Sequence, residues 1–282
     1  MNPNRPTASL RQRLLGPVTW RRVLLGVVEV YLGVMVLGWL VADRAIFLPP
    51  PPGYAAGGDI VRVPTAGGQQ IGLLALTNAA PARGAVLFFH GNGEDLSGGS
   101  REILAGYRAL GLDAYAFDYR GYGISDGTPS TRRALEDGEA AFRHVVGACG
   151  VRPERLLLHG RSLGAAIALD VAARHRVGGV IVESGFLTAF RVRTRWPLFP
   201  VDKFRSDRRI REVRSPIFVL HGEQDEAIPC WHGRELYRLA AAPKRAWWVA
   251  GAGHNDVLER APDEFWRRVA AFAGDALPPA VP

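Results

Sequence analysis

Apolar positions along this chain follow three patterns in turn: one long unbroken run, a short stretch of alternation, and then brief apolar runs that alternate with helical segments. The long run, VLLGVVEVYLGVMVLGWLVA (23–42), holds twenty residues with one charge, Glu29. At about 1.5 Å per helical residue it matches the roughly 30 Å hydrocarbon core of a bilayer, so it predicts a transmembrane helix. A cleaved signal peptide is the rival reading. The run exceeds the usual apolar region of about 7 to 15 residues, and no clean small-x-small cleavage site or lipobox cysteine follows it. Within the span, the Glu29 carboxylate must snorkel, protonate or find a partner. The sequence FLPPPPG (47–53) cannot continue a helix, because successive prolines lack N–H donors, so residues 43–58 read as a stiff spacer.

Alternation begins at residue 59. DIVRVPT and QIGLLALT flank the turn Ala66-Gly67-Gly68 and predict an antiparallel hairpin. Beyond it, strands are expected at 84–90, 112–118, 156–159, 178–184, 215–222 and 244–251, those at 84–90 and 156–159 buried. Helices are expected at 100–111, at 130–148, from 163 onward, at about 230–241 and at 255–273, with a frayed tail from 275 to 282. No internal repeat is visible. Alternating β and α units imply an α/β domain (59–274) with a mostly parallel sheet covered by helices on both faces, and ligands in such sheets bind beyond the carboxyl ends of the strands.

The stretch RLLLHGRSLG (155–164) carries the candidate chemistry. It reads as strand, serine and helix, with Gly160 and Gly164 two residues either side of Ser162. Such a turn strains the serine and lifts its hydroxyl out of the sheet, and only small residues let strand and helix pass so closely. The plainer reading makes Ser162 a helix N-cap. A serine nucleophile needs a base oriented by a carboxylate. Of seven histidines, His90, His159 and His221 each precede a glycine at a strand end, and His144, His175 and His232 fall in or beside helices. His254, in GAGHND after the last strand, lies on a loop able to reach across the sheet and is the expected base. Asp225, in HGEQDEAIP after the penultimate strand, is the expected carboxylate, with Glu183 in VIVES the serious rival and Glu223 and Glu226 nearby decoys. For a developing oxyanion, Leu163 supplies one N–H. HGNG (90–93) supplies the other, from Asn92 with Gly93 second; its plainer reading is a glycine turn, and a phosphate loop is excluded because no G-K-[ST] follows.

Charge changes the picture only at the N-terminus. The net charge of +8 comes almost wholly from arginine, since lysine occurs only at 203 and 244, and no nucleic-acid-binding motif accompanies it. Arg5, Arg11, Arg13, Arg21 and Arg22 precede Glu29, whereas Asp43 and Arg44 follow the span. The positive-inside rule therefore places residues 1–22 in the cytoplasm and the domain beyond the membrane. Cys149 and Cys230 are too few for a disulfide framework, lack metal-ligand spacing and leave the redox compartment open; the serine chemistry expected above calls for no metal or organic cofactor.

Taken together, HGNGEDL, DYRGYGISDGTPS, GRSLGAAIA, ESGF, DKF, LHGEQDEAIP and GAGHND resemble the α/β-hydrolases of the bud-emergence-suppressor and protein-depalmitoylase type, often labelled serine aminopeptidase-like. The resemblance covers about residues 59 to 273. It implies an α/β-hydrolase fold with a Ser162, Asp225, His254 triad, in the chain order known for that fold. It further implies that Asp118, Arg120 and Tyr122 belong to a structural loop. Between the strands at 178–184 and 215–222 there is room for a minimal cap only. Its basic and aromatic sequence reads either as contact with anionic head groups or an acyl chain, with Trp196, Leu198 and Phe199 at the entrance, or as a solvated basic face with Trp196 and Phe199 packed inward. The expectation is a membrane-anchored serine hydrolase acting on a small-molecule or lipid-like acyl substrate, a carboxylic ester or thioester. A serine peptidase and a catalytically silent binding module are the alternatives.

Overall fold

A computed structural model describes residues 19–55, 57–197 and 202–279. They divide after Ala42 into two compact units. The first is dominated by helix α1, Trp20–Ile46, 27 residues long and apolar enough by length and composition to cross a membrane. It exceeds the expected 23–42 span by about a turn at its C-terminal end, where Asp43–Ile46 keep helical geometry and group with the second unit.

The second unit is built on an eight-stranded sheet in the order β1-β2-β4-β3-β5-β6-β7-β8. The strands are β1 (Ile60–Pro64), β2 (Gln70–Leu76), β3 (Ala85–Phe89), β4 (Asp113–Phe117), β5 (Leu156–Arg161), β6 (Gly179–Glu183), β7 (Ile217–Gly222) and β8 (Lys244–Val249). β1 and β2 form the expected hairpin, with Ile60 opposite Leu74 and Pro64 opposite Gln70. β2 joins β4 antiparallel, and every later pairing is parallel.

Alternate residues of each parallel strand enter opposite layers, which is why these strands read as unbroken apolar runs. Leu156 and Leu158 join the core formed with α3 (Thr131–Gly147), α4 (Leu163–Arg174), α5 (Ser206–Glu212) and α6 (Trp231–Leu239). Leu157 joins the other core, with α2 (Gly99–Ala109), α7 (Val257–Arg260) and α8 (Pro262–Ala276). α4 is buried on all sides from Leu163 to Ala172. A helix apolar all round belongs in such a central position. From β3 the chain passes to β4 on one side, whereas from β5 it passes to β6 on the other. The loops leaving the neighbouring strands β3 and β5 therefore diverge and open a crevice at their carboxyl ends.

Two expectations change and one helix is added. The last helix breaks in two, because Pro262 lacks an N–H and begins a new helix at its first turn. The residues at 206–212 are helical although mostly charged: Ile210 is buried, and Arg209 pairs with Asp170 of α4 at 2.9 Å. The C-terminal residues are tied down as far as Pro279, with Leu277 buried in the second core and the Arg155 guanidinium donating to the Pro279 carbonyl at 2.6 Å.

Candidate active site

The crevice is furnished by four loops, one after each of β3, β5, β7 and β8. Between β5 and α4, Ser162 adopts φ 54° and ψ −114°. A positive φ is strained for a residue with a Cβ and persists only where the surroundings over-determine it. Here the Ser162 N–H donates to the Glu183 carbonyl of β6 at 2.8 Å. A Cβ on Gly160 would lie 2.4 Å from the Gly164 carbonyl oxygen, and one on Gly164 would lie 2.0 Å from the Phe89 oxygen. Both glycines are thus required by close approach of backbone to backbone. Gly164→Ala should lower the melting temperature by several degrees, corresponding to about 1–3 kcal/mol of overpacking, and disturb Ser162 with it, which thermal unfolding and covalent labelling of the serine would measure together.

His254 follows β8 through a turn that includes Gly251 at φ +74°. Its Nε2 lies 3.0 Å from Ser162 Oγ, and its Nδ1 lies 2.7 Å from Asp225 Oδ2. Asp225, buried in the turn after β7, also accepts the Ile228 N–H on Oδ1 at 2.7 Å. His221 Nε2 stands 3.1 Å from Asp225 Oδ2 and 2.7 Å from the Ile228 carbonyl. Burial works to raise the Asp225 pKa, but hydrogen bonds from His221, His254 and the Ile228 N–H together hold it well below the usual carboxylate range. The structure therefore brings together the three residues expected from the sequence. It adds His221, expected only to support a turn, as a second imidazole on the same carboxylate.

Glu183, the rival acid, faces elsewhere. Its Oε2 lies 2.9 Å from His159 Nε2, and the other ring nitrogen of His159 lies 2.9 Å from the Tyr107 hydroxyl. Burial opposes its ionisation, yet the His159 contact and the nearby charges of His159 and Arg161 lower its pKa. Its side chain belongs to a buried polar network, while its carbonyl anchors Ser162.

The Leu163 N–H opens α4, among the helix N–H groups that have no intrahelical partner. Across the crevice the loop after β3 runs beside the serine: a Cβ on Gly91 would lie 3.7 Å from Ser162 Cβ. Among the described residues the Asn92 main-chain N–H has no hydrogen bond, and Gly93 turns the loop at φ +80°. The Asn92 side chain is engaged elsewhere, with Ile46, Leu48 and Tyr122. His90, the first residue of this loop, is buried between Asp118 and the Gly91 carbonyl, with Nε2–Oδ1 at 3.2 Å and Nδ1–O at 2.8 Å. Burial lowers its pKa, but the Asp118 hydrogen bond and charge raise it by more. Arg120 is held by Asp137 and Glu136 of α3, and Tyr122 donates to Asn92 Oδ1 at 2.6 Å, so the loop at 118–122 braces the loop at 90–93.

In the cap, Trp196 is 72% exposed, against the inward-packed reading; Leu198 and Phe199 lie outside the described residues. Arg191 stacks its guanidinium over Trp231, 5.2 Å from the ring centroid. Among the described residues no cluster of His, Cys, Asp and Glu side chains has the arrangement of a metal site.

Alpha/beta hydrolase domain-containing protein 17C of Xenopus tropicalis is 33% identical to the chain over 227 residues, covering 78% of the chain and 71% of that protein. The chain belongs to the α/β-hydrolase family. Its human relative, alpha/beta hydrolase domain-containing protein 17B, is 32% identical over 200 residues, covering 68% of each. Residues 80–206 of this hydrolase match the serine aminopeptidase, S33 family. Two solved structures share the fold at low identity. The Pyrococcus furiosus esterase Pf2001 superposes with a TM-score of 0.69 at 16% identity, covering 81% of this chain and 99% of that one. The Rhodococcus esterase RhEst1 superposes with a TM-score of 0.63 at 20% identity, covering 78% and 100%.

Proposed function

We propose that this α/β-hydrolase is a membrane-anchored serine hydrolase that cleaves a carboxylic ester or thioester through an acyl-enzyme. The observation that carries the reading is the relay of 3.0 Å and 2.7 Å contacts from Ser162 through His254 to Asp225, beginning at a serine in a strained turn. In this reaction Ser162 Oγ attacks the acyl carbon and its proton passes to His254 Nε2. Asp225, ionised and buried, accepts from Nδ1–H, fixes the tautomer and stabilises the imidazolium that forms. The N–H groups of Leu163 and Asn92 bind the oxyanion, each such donor being worth on the order of 3 kcal/mol in the transition state. Collapse of the tetrahedral intermediate expels the alcohol or thiol, which takes the proton from His254. A water then gives its proton to the same nitrogen and hydrolyses the acyl-enzyme. A thiolate leaves with little acid assistance, its conjugate acid having a pKa of about 8.5, so the same machinery serves thioesters.

Helix α1 is assigned as the anchor, with the arginine excess ahead of it on the cytoplasmic side and the hydrolase unit on the far side. A C-terminal alkaline phosphatase fusion active in intact cells supports that topology, and an inactive one rejects it. The function is tested with a panel of p-nitrophenyl esters of increasing chain length together with a fluorophosphonate probe. Hydrolysis blocked by stoichiometric labelling at Ser162 is expected. An intact, folded chain that neither hydrolyses any ester or thioester nor reacts with the probe would instead be a silent binding module, and preferential cleavage of aminoacyl amides would make it a peptidase.

A further inference from the structure

We propose that the Asn92 side chain is a positioning residue: it holds the oxyanion loop in place by pairing with the segment that leaves α1, so that transition-state stabilisation depends on that segment. The proposal rests on the hydrolase reading above and concerns residues Ile46 to Tyr54, expected from their prolines to form a spacer. They are not strung free of the hydrolase unit. Phe47 is buried, with its ring 6.0 Å from that of Phe204, and Asp43 accepts the Thr131 N–H at 3.1 Å and pairs with Lys203 at 2.8 Å.

The decisive contact is made by one carboxamide. Asn92 Nδ2 donates to the Ile46 carbonyl at 2.6 Å, while Asn92 Oδ1 accepts the Leu48 N–H at 3.0 Å and the Tyr122 hydroxyl at 2.6 Å. Ile46 is the last residue of α1, so its carbonyl is one of those a helix end leaves without an intrahelical partner. The C=O of Ile46 and the N–H of Leu48 together match the donor and acceptor of a primary amide, much as a neighbouring strand would. An aspartate there loses the donor and sets a carboxylate against a carbonyl; an alanine loses both bonds.

The rest of the segment points to the same loop. Pro49 to Pro52 have no N–H, so Leu48 and Gly53 hold the only main-chain donors between residues 48 and 53. The Gly53 N–H donates to Asp95 Oδ2 at 2.7 Å, and a Cβ on Gly53 would meet Ser97 Oγ at 2.1 Å. Tyr54 then hydrogen-bonds through its hydroxyl to Asp118, the partner of His90, the first residue of that loop. Both donors of a stiff proline segment and its terminal tyrosine thus converge on residues 90–97 and their brace. That leaves the Asn92 main-chain N–H, one residue from Gly91 beside Ser162, supported from behind by residues that belong to no strand or helix of the hydrolase sheet.

The test uses the full-length chain in detergent micelles with a short p-nitrophenyl ester and a trifluoromethyl ketone that forms a tetrahedral adduct at the serine. Asn92→Ala keeps the main-chain N–H but removes its clasp. Leu48→Pro removes the N–H on the other side of the same bond and leaves the loop sequence intact. Since losing an oxyanion donor outright costs about 10²- to 10³-fold, displacing one should lower kcat by about 10- to 100-fold in each variant. KM should stay within about twofold, and ketone affinity should fall with kcat, because the loss is confined to the tetrahedral state. The double variant should be no worse than the poorer single one, since both cut the same link. Unchanged kcat in folded Leu48→Pro, a rise in KM alone, or additive losses would overturn the proposal. A wild-type chain without Ser162-dependent turnover would overturn the hydrolase reading beneath it, so the two failures are distinguishable.

Discussion

Replacing Ser162 with alanine is expected to remove nearly all ester turnover, by about 10⁶-fold in kcat, and His254→Ala to do the same. The magnitude follows from cooperation. Without Oγ there is no acyl-enzyme, and His254, still oriented by Asp225 at 2.7 Å, has no proton to collect from a nucleophile. Without the imidazole, the hydroxyl stays protonated at neutral pH and only the oxyanion donors and substrate binding still act. The double variant should therefore be no slower than either single one. Neither change opens a large buried void, and alanine at 162 removes only Oγ and keeps the Cβ that the strained main chain already accommodates, so melting temperatures should move by a few degrees at most. Steady-state kinetics with a fluorophosphonate control separate the cases. If Ser162→Ala keeps more than a hundredth of wild-type turnover, the nucleophile lies elsewhere.

The parts of this site that were legible in the sequence share one property: each is a short polar motif directly after an apolar run. β3, β5 and β7 had to be buried, being mostly apolar, β8 is a half-exposed edge strand with an apolar C-terminal half, and a parallel sheet puts whatever follows such strands at one end. Asn92, Ser162, Asp225 and His254 could be placed in that way without knowing which strands are neighbours. The choice of Asp225 over Glu183 could not be read so directly, because Glu183 ends one strand and Asp225 follows the next. It turns on side-chain direction, which puts Glu183 on His159. The helix at 206–212 was hidden because its apolar content is one buried isoleucine among charges, so its stability comes from packing and the Arg209–Asp170 pair rather than from any periodic stripe. The break at Pro262 did carry a signal, a proline inside a helical pattern. The engagement of Ile46, Leu48 and Gly53 carried none, since it uses main-chain atoms paired to side chains more than forty positions away. Proline content reports that such a segment is stiff, not what it lies against.

Asp225→Asn should lower kcat/KM by about 10⁴-fold while leaving the fold intact, and the hydrogen bonds at this carboxylate give the reason. The Ile228 N–H points at Oδ1, so in an asparagine that position must be the carbonyl oxygen, or two donors would face each other. The amide NH₂ is then forced into the place of Oδ2, where it meets His254 Nδ1 and His221 Nε2. His254 must accept on Nδ1, its proton moves to Nε2, and Nε2 can no longer take the proton of Ser162. Glu183→Gln keeps His254 and Asp225 as they are, so its cost should fall mainly on stability through the pair with His159; if it slows turnover more than Asp225→Asn does, the acid has been misassigned. The same substitution also carries a stability signature with a definite sign. Asp225 has a folded pKa depressed below the unfolded value of about 4, so its ionised form stabilises the fold above that pH, and the contribution is lost as pH falls from about 4 toward the depressed value. Denaturation curves should therefore show wild type and Asp225→Asn furthest apart near neutrality and converging in acid. A gap that stays constant, or widens as pH falls below about 4, would mean that the carboxylate is not the ionised partner of His221 and His254 that this mechanism requires.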